Sequence, residues 1–165
     1  MADKVPMVSV VGESGAGKTT FLVKLVAELK ARGVKVGVIK HHPHDIDIDR
    51  PGKDTWRLAA AGADRVAIST PGRLGLFINL EREMDLDRLA GLFEGVEIII
   101  TEGYKKGDRP KIEINRRSHS DRLISPPGEL ICIVSDVAWE VGVPVFSLED
   151  SAGVAGLLQA KYGLG

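Results

Sequence analysis

"VPMVSVVGESGAGKTTFLVKLVAELKARGVKVGVIK", residues 5–40, decides the fold. Its first segment, VPMVSVVG (5–12), is a β-branched apolar run closed by glycine, which predicts a buried strand. The segment TTFLVKLVAELKARG follows, with Leu22, Leu25, Val26 and Leu29 at helical spacing and Gly33 as a stop signal. KVGVIK (35–40) predicts a second strand. Strand, helix and strand at these lengths make one right-handed βαβ unit, so the two strands run parallel.

Between the first strand and the helix lies GESGAGKTT (12–20), a complete G-x-x-x-x-G-K-[ST] pattern in the context that pattern requires. Gly12, Gly15 and Gly17 let the backbone curl until successive N–H groups face one anion. The helix N-terminus adds partial positive charge. Lys18 is placed to neutralise the β- and γ-phosphates of a nucleotide, and Thr19 to put its hydroxyl on Mg²⁺. Such a loop needs an acidic partner at the end of another central strand. VEIIITEGY (96–104), the most hydrophobic run in the chain, ends in Glu102 followed by Gly103. Glu102 is the candidate to hold the cation or polarise an attacking water.

Outward from this unit the chain keeps alternating. KDTWRLAAAGA (53–63) reads as a short helix, DRVAIST and LGLFINL as a hairpin around PGR, and MDLDRLAGLFEG (84–95) as a helix capped by aspartate. KIEIN, LICIVSD and VPVFSL read as strands, and EDSAGVAGLLQAKYG as a closing helix. The expectation is a single P-loop nucleotide-binding domain over residues 1–165. Its fold class is α/β: an open, mostly parallel sheet of the P-loop NTPase type with helices on both faces.

The bulk properties agree with one domain. A chain of 165 residues buries roughly 70% of its unfolded surface on folding. Hydrophobic residues at 44%, charged residues at 27% and a formal net charge of −1 leave no global field to draw nucleic acid or an anionic membrane. The N-terminal apolar run is too short for a secretory signal or a membrane span, so a cytoplasmic protein is expected. The single Cys132 sits inside LICIVSD and reads as a buried strand residue in a reducing compartment.

The loop HHPHDIDIDRPGKDT after the second strand emerges at the same sheet edge as the phosphate loop, because parallel strands share their C-terminal ends. It reads as a switch-like segment with Asp54 near the γ-phosphate or Mg²⁺ and Lys53 in reach of phosphate. Metal readings fare worse. An EF-hand from Asp45 wants Gly at position 50 and Glu at position 56, where Arg50 and Trp56 stand. A zinc site from His41, His42 and His44 matches no structural-zinc spacing. Asp45 and Asp47 alternate with Ile46 and Ile48, which also suits the two faces of a short strand.

Taken together, GESGAGKTTFL, IKHHPHDIDIDRPGKDT and TEGYKKGDRPKIEI resemble the MobB family, the molybdopterin-guanine dinucleotide biosynthesis adapter proteins. The resemblance runs over roughly residues 5–117 and rests most on the last two segments. It implies a GTP-binding protein with weak GTPase activity, usually a homodimer. The implied partner is the MobA-like guanylyltransferase that attaches GMP to molybdopterin, with molybdopterin itself a further candidate ligand. Carried over by position, it puts the nucleotide on Gly12, Glu13, Ser14, Gly15, Ala16, Gly17, Lys18, Thr19 and Thr20. Thr19 and Glu102 become the Mg²⁺ ligands, with Lys18, Asp54 and Glu102 as the catalytic set. Lys105 and Lys111 would face the nucleotide or the pterin.

No N-K-x-D guanine motif occurs in the chain. The substitute is Asp136 in VSD, which either accepts from guanine N1 and N2 or caps a turn. RRSHSD (116–121) reads either as a second anion site or as a solvated loop. Two other functions use the same cradle. One is a small-molecule kinase with Arg109, Arg116, Arg117 and Arg122 as its lid, and the other a metallochaperone GTPase that uses the histidines.

Overall fold

The structure, a computed structural model, describes residues 4–165. The chain divides into two compact units, one made of residues up to His41 together with Ala90–Gly165, the other of His42–Leu89.

The first unit is an open parallel sheet. Its strands are β1 (Met7–Val11), β2 (Val36–Lys40), β5 (Ile98–Glu102), β6 (Lys111–Asn115), β7 (Leu130–Ser135) and β8 (Val145–Phe146). They lie in the order β2-β5-β1-β6-β7-β8, every pairing parallel. The long helices α1 (Lys18–Ala31) and α4 (Ser151–Tyr162) pack together on one face. Arg32, just beyond α1, fastens them by donating to Gln159 Oε1 at 3.0 Å and to the Ala152 carbonyl at 2.9 Å. Val8, Val10, Ile98, Ile100, Ile112 and Val134 from the strands meet Leu22, Leu25, Leu29, Val154 and Leu158 from the helices in one core. The apolar periodicity of α1 is the reason: its buried positions Phe21, Leu22, Leu25 and Leu29 form one stripe.

The open parallel sheet with helices is the architecture the sequence led us to expect. On the other face, much of the cover comes from connecting segments. Phe93 lies against Gly37 and Ile99, leaving no room there for a side chain on residue 37. Buried Glu113 accepts the N–H groups of Ile124 and Ser125 at 2.7 and 2.9 Å. Cys132 is fully buried in β7, and burial pushes its thiol up to about 12.

The second unit holds α2 (Asp54–Ala60), an antiparallel hairpin of β3 (Arg65–Thr70) and β4 (Arg73–Ile78), and most of α3 (Leu86–Ala90). The hairpin is where it was expected. Helix α3 is shorter than the 84–95 reading; Asp85 caps it as anticipated, its Oδ1 accepting the Arg88 N–H at 2.8 Å.

Candidate functional site

The chain leaves β1 outward toward β2 and leaves β6 the opposite way toward β7. The C-terminal ends of β1 and β6 are therefore a topological switch point, where open α/β sheets take their ligands. Residues 12–20 occupy it. Gly12 has a φ of 150°, and a Cβ there would stand 2.3 Å from the Ile114 carbonyl oxygen, so no other residue fits. Gly15 and Gly17 are left-handed, with φ of 78° and 95°, and Gly17 delivers the chain into α1.

Lys18 folds back over this loop. Its ammonium donates to the Gly12 and Glu13 carbonyls at 3.2 and 2.8 Å. Burial holds its pKa below the usual lysine value, the neighbouring Lys105 charge pushes the same way, and Glu102 and Glu13 oppose the shift. Thr19 Oγ1 lies 2.8 and 2.9 Å from the two carboxylate oxygens of Glu102. The contact joins the first turn of α1 to the end of β5. Glu102 is nearly buried and has Lys40 Nζ 3.5 Å away, since register sets Lys40 opposite Glu102 at the ends of β2 and β5. Sequence reasoning missed Lys40, although the parallel pairing of the strand ends was the signal that could have found it.

Past Glu102 the chain turns sharply through Gly103 and Tyr104, with φ of 108° and 53°. An aromatic residue in that region is uncommon. The Tyr104 ring stacks on His41, centroids 4.2 Å apart at 28°. Lys105 then reaches the Glu13 carboxylate at 3.4 Å.

From the other side, Arg116 Nε donates to the Ala16 carbonyl at 3.0 Å, and the His119 ring covers Gly15. These residues of the RRSHSD loop brace the phosphate loop, a role not read from the sequence. Asp136 stands exposed at the end of β7, one of its oxygens accepting the Arg117 N–H at 2.9 Å. Asp54 opens α2 in the second unit and is exposed. Lys111 does not face the site. It is 1% exposed at the start of β6, and its ammonium donates to the Gly107 carbonyl at 2.7 Å and pairs with Glu129. His42 and His44 bond to each other, the His42 ring nitrogen lying 2.9 Å from the His44 carbonyl oxygen. Among the described residues no three His, Cys, Asp or Glu side chains gather as for a metal ion.

A glycine-curled loop between a central strand and a helix, with a lysine folded over it and a hydroxyl–carboxylate pair beside it, defines the P-loop NTPase class. Within that class the chain belongs to the MobB family, described as molybdopterin guanine dinucleotide synthesis protein B, whose sequence profile matches residues 7–136. It is 34% identical over 157 residues to the molybdopterin-guanine dinucleotide biosynthesis adapter protein of Escherichia coli, covering 92% of this chain and 90% of that protein. To the Haemophilus influenzae protein of the same name it is 32% identical over 143 residues, covering 86% and 80%. The crystal structure of Bacillus subtilis MobB superposes with a TM-score of 0.75 at 29% identity, over 95% of this chain and 98% of that one.

Proposed function

We propose that this chain is a GTP-binding adapter with weak GTPase activity, acting with a MobA-like guanylyltransferase in the attachment of GMP to molybdopterin. Membership of the MobB family and the names of its relatives support the role. The observation that carries the nucleotide reading is the pair Thr19 and Glu102, within 2.9 Å of each other beside the Lys18 ammonium. Hydroxyl and carboxylate oxygens at the rim of a phosphate loop are the hard donors that fit Mg²⁺. When bound, that ion would supply charge neutralisation between the β- and γ-phosphates.

The chain's own residues do the rest. Gly12 through Thr20 present backbone N–H groups to the phosphates, with the side chains of Glu13, Ser14 and Thr20 at the rim. Lys18 exchanges two carbonyl oxygens for phosphate oxygens, a stronger charge-assisted contact. Glu102 orients Thr19 or a water. Asp54 is the further catalytic candidate, and the free oxygen of Asp136 is the candidate acceptor for guanine.

A homodimer is part of the proposal. Ile68, Leu74 and Leu76 of the hairpin are exposed, and among the described residues neither edge of this two-stranded sheet is paired. The chain would work in the cytoplasm. Among the described residues no helix is long and apolar enough to cross a membrane.

The test is a titration with Mg²⁺ of GTP against ATP, on wild type, Lys18→Ala and Asp136→Ala. The expected result is a clear preference for GTP that Asp136→Ala erases, and loss of both nucleotides in Lys18→Ala. Equal or better ATP binding overturns the guanine assignment. Undiminished binding to Lys18→Ala overturns the phosphate site.

A further inference from the structure

Glu13 brings a carboxylate into a loop whose other groups attract anions. Its carbonyl holds the Lys18 ammonium at 2.8 Å, and its side chain holds Lys105 at 3.4 Å. Both members of that pair are about half exposed, so each is free to exchange its partner for a ligand. Their location lies close to the candidate cation position. Thr19 and Glu102 mark the cation position, which in P-loop proteins lies between the β- and γ-phosphates. Lys105 follows Glu102 by three residues, on the turn made by Gly103 and Tyr104. The Glu13–Lys105 pair therefore links the phosphate loop to the turn that follows Glu102.

Resting on the nucleotide-binding reading above, we infer that Glu13 is a specificity-determining residue that lowers the preference of this loop for a terminal phosphate, with Lys105 as the cation it shares with that phosphate. In the free protein the carboxylate neutralises Lys105. An arriving γ-phosphate competes for the same ammonium and leaves Glu13 an unpaired negative charge facing it, which opposes binding. A β-phosphate, deeper in the loop under the Lys18 ammonium, is less affected. The result is a cradle that releases triphosphate more readily than one without the carboxylate.

The probes are the β,γ-imido analogue of GTP and GDP, each with Mg²⁺, measured by calorimetry on wild type, Glu13→Gln, Lys105→Met and the double variant. Glu13→Gln is expected to raise the ratio of triphosphate to diphosphate affinity about fivefold, in the range of exposed charge pairs. Lys105→Met is expected to lower the ratio by a similar factor. Removing Glu13 should matter less once Lys105 is gone, because there is then no pair to break. The gain from Glu13→Gln should shrink toward one as ionic strength rises from about 0.05 to 0.5 M. A ratio unchanged or lowered in Glu13→Gln overturns the inference, as does a Glu13 effect of equal size with and without Lys105. If wild type binds neither probe, the underlying nucleotide reading fails instead. Thermal unfolding of each variant shows whether it is folded, and rescue of the wild-type ratio by Glu13→Asp separates a charge effect from a loss of packing.

Discussion

The two units of this chain are built to different standards. In the sheet unit, Val8, Val10, Leu25, Leu29, Ile98 and Ile100 are without solvent contact, and polar side chains buried there, such as Ser9 with Thr101, find one another. In the unit of residues 42–89, Val66 is the one buried hydrophobic residue, and it keeps 7% exposure, while Ile46, Ile48, Leu58, Leu74, Leu76 and Leu80 are exposed. Helices α2 and α3 bury no residue completely. The difference teaches that the phosphate loop sits on a densely packed platform, while the inserted unit leaves apolar side chains exposed.

Substitutions sharpen this contrast. Ile100→Ala in the sheet unit should cost about 2–5 kcal/mol, and Leu76→Ala in the hairpin within ~0.5 kcal/mol, by chemical denaturation. Equal losses would break the contrast. Glu113→Ala should cost about 1–3 kcal/mol, because the N–H groups of Ile124 and Ser125 lose their acceptor inside the protein. The buried Cys132 thiol makes the sheet unit sensitive to alkali. Its folded pKa of about 12 lies above its ordinary 9.0, so its contribution is complete below pH 9 and is lost as pH rises toward 12. Wild type should therefore lose stability over that window more steeply than Cys132→Ala, and a thiol reagent at pH 8 should react only as fast as the protein opens. The smallest effect on stability is expected for Leu74→Lys at a 71% exposed position, within ~0.5 kcal/mol. In the proposed homodimer the same change should shift sedimentation toward monomer. A dimer that withstands Leu74→Lys and Leu76→Lys together would remove the hairpin from the association surface.

Much of the platform was legible in the sequence because local chemistry dictates it. Gly12, Gly15 and Gly17 hold backbone conformations that other residues resist, and the run IIITE ends in the carboxylate that meets Thr19. What stayed hidden depends on which strands become neighbours. KIEIN alternates charged and apolar residues, the pattern of a half-exposed strand. Yet β6 lies between β1 and β7 with both faces covered, so Lys111 and Glu113 are buried and bonded. Arg116 and His119 follow β6, and only that placement brings them against Ala16 and Gly15. Helix α3 fell short of its apolar pattern because helix ends depend on caps and neighbours more than on periodicity.

The most direct test of the account is the Mg²⁺ dependence of GTP binding in wild type, Thr19→Val and Glu102→Gln. The expected result is that Mg²⁺ tightens GTP binding to wild type at least tenfold and that this gain falls to within about threefold of unity in each variant. GTP binding without the ion should persist in all three, because Lys18 and the loop backbone remain. An undiminished Mg²⁺ gain in both variants would contradict the account, since the Thr19–Glu102 contact would then be only a structural hydrogen bond.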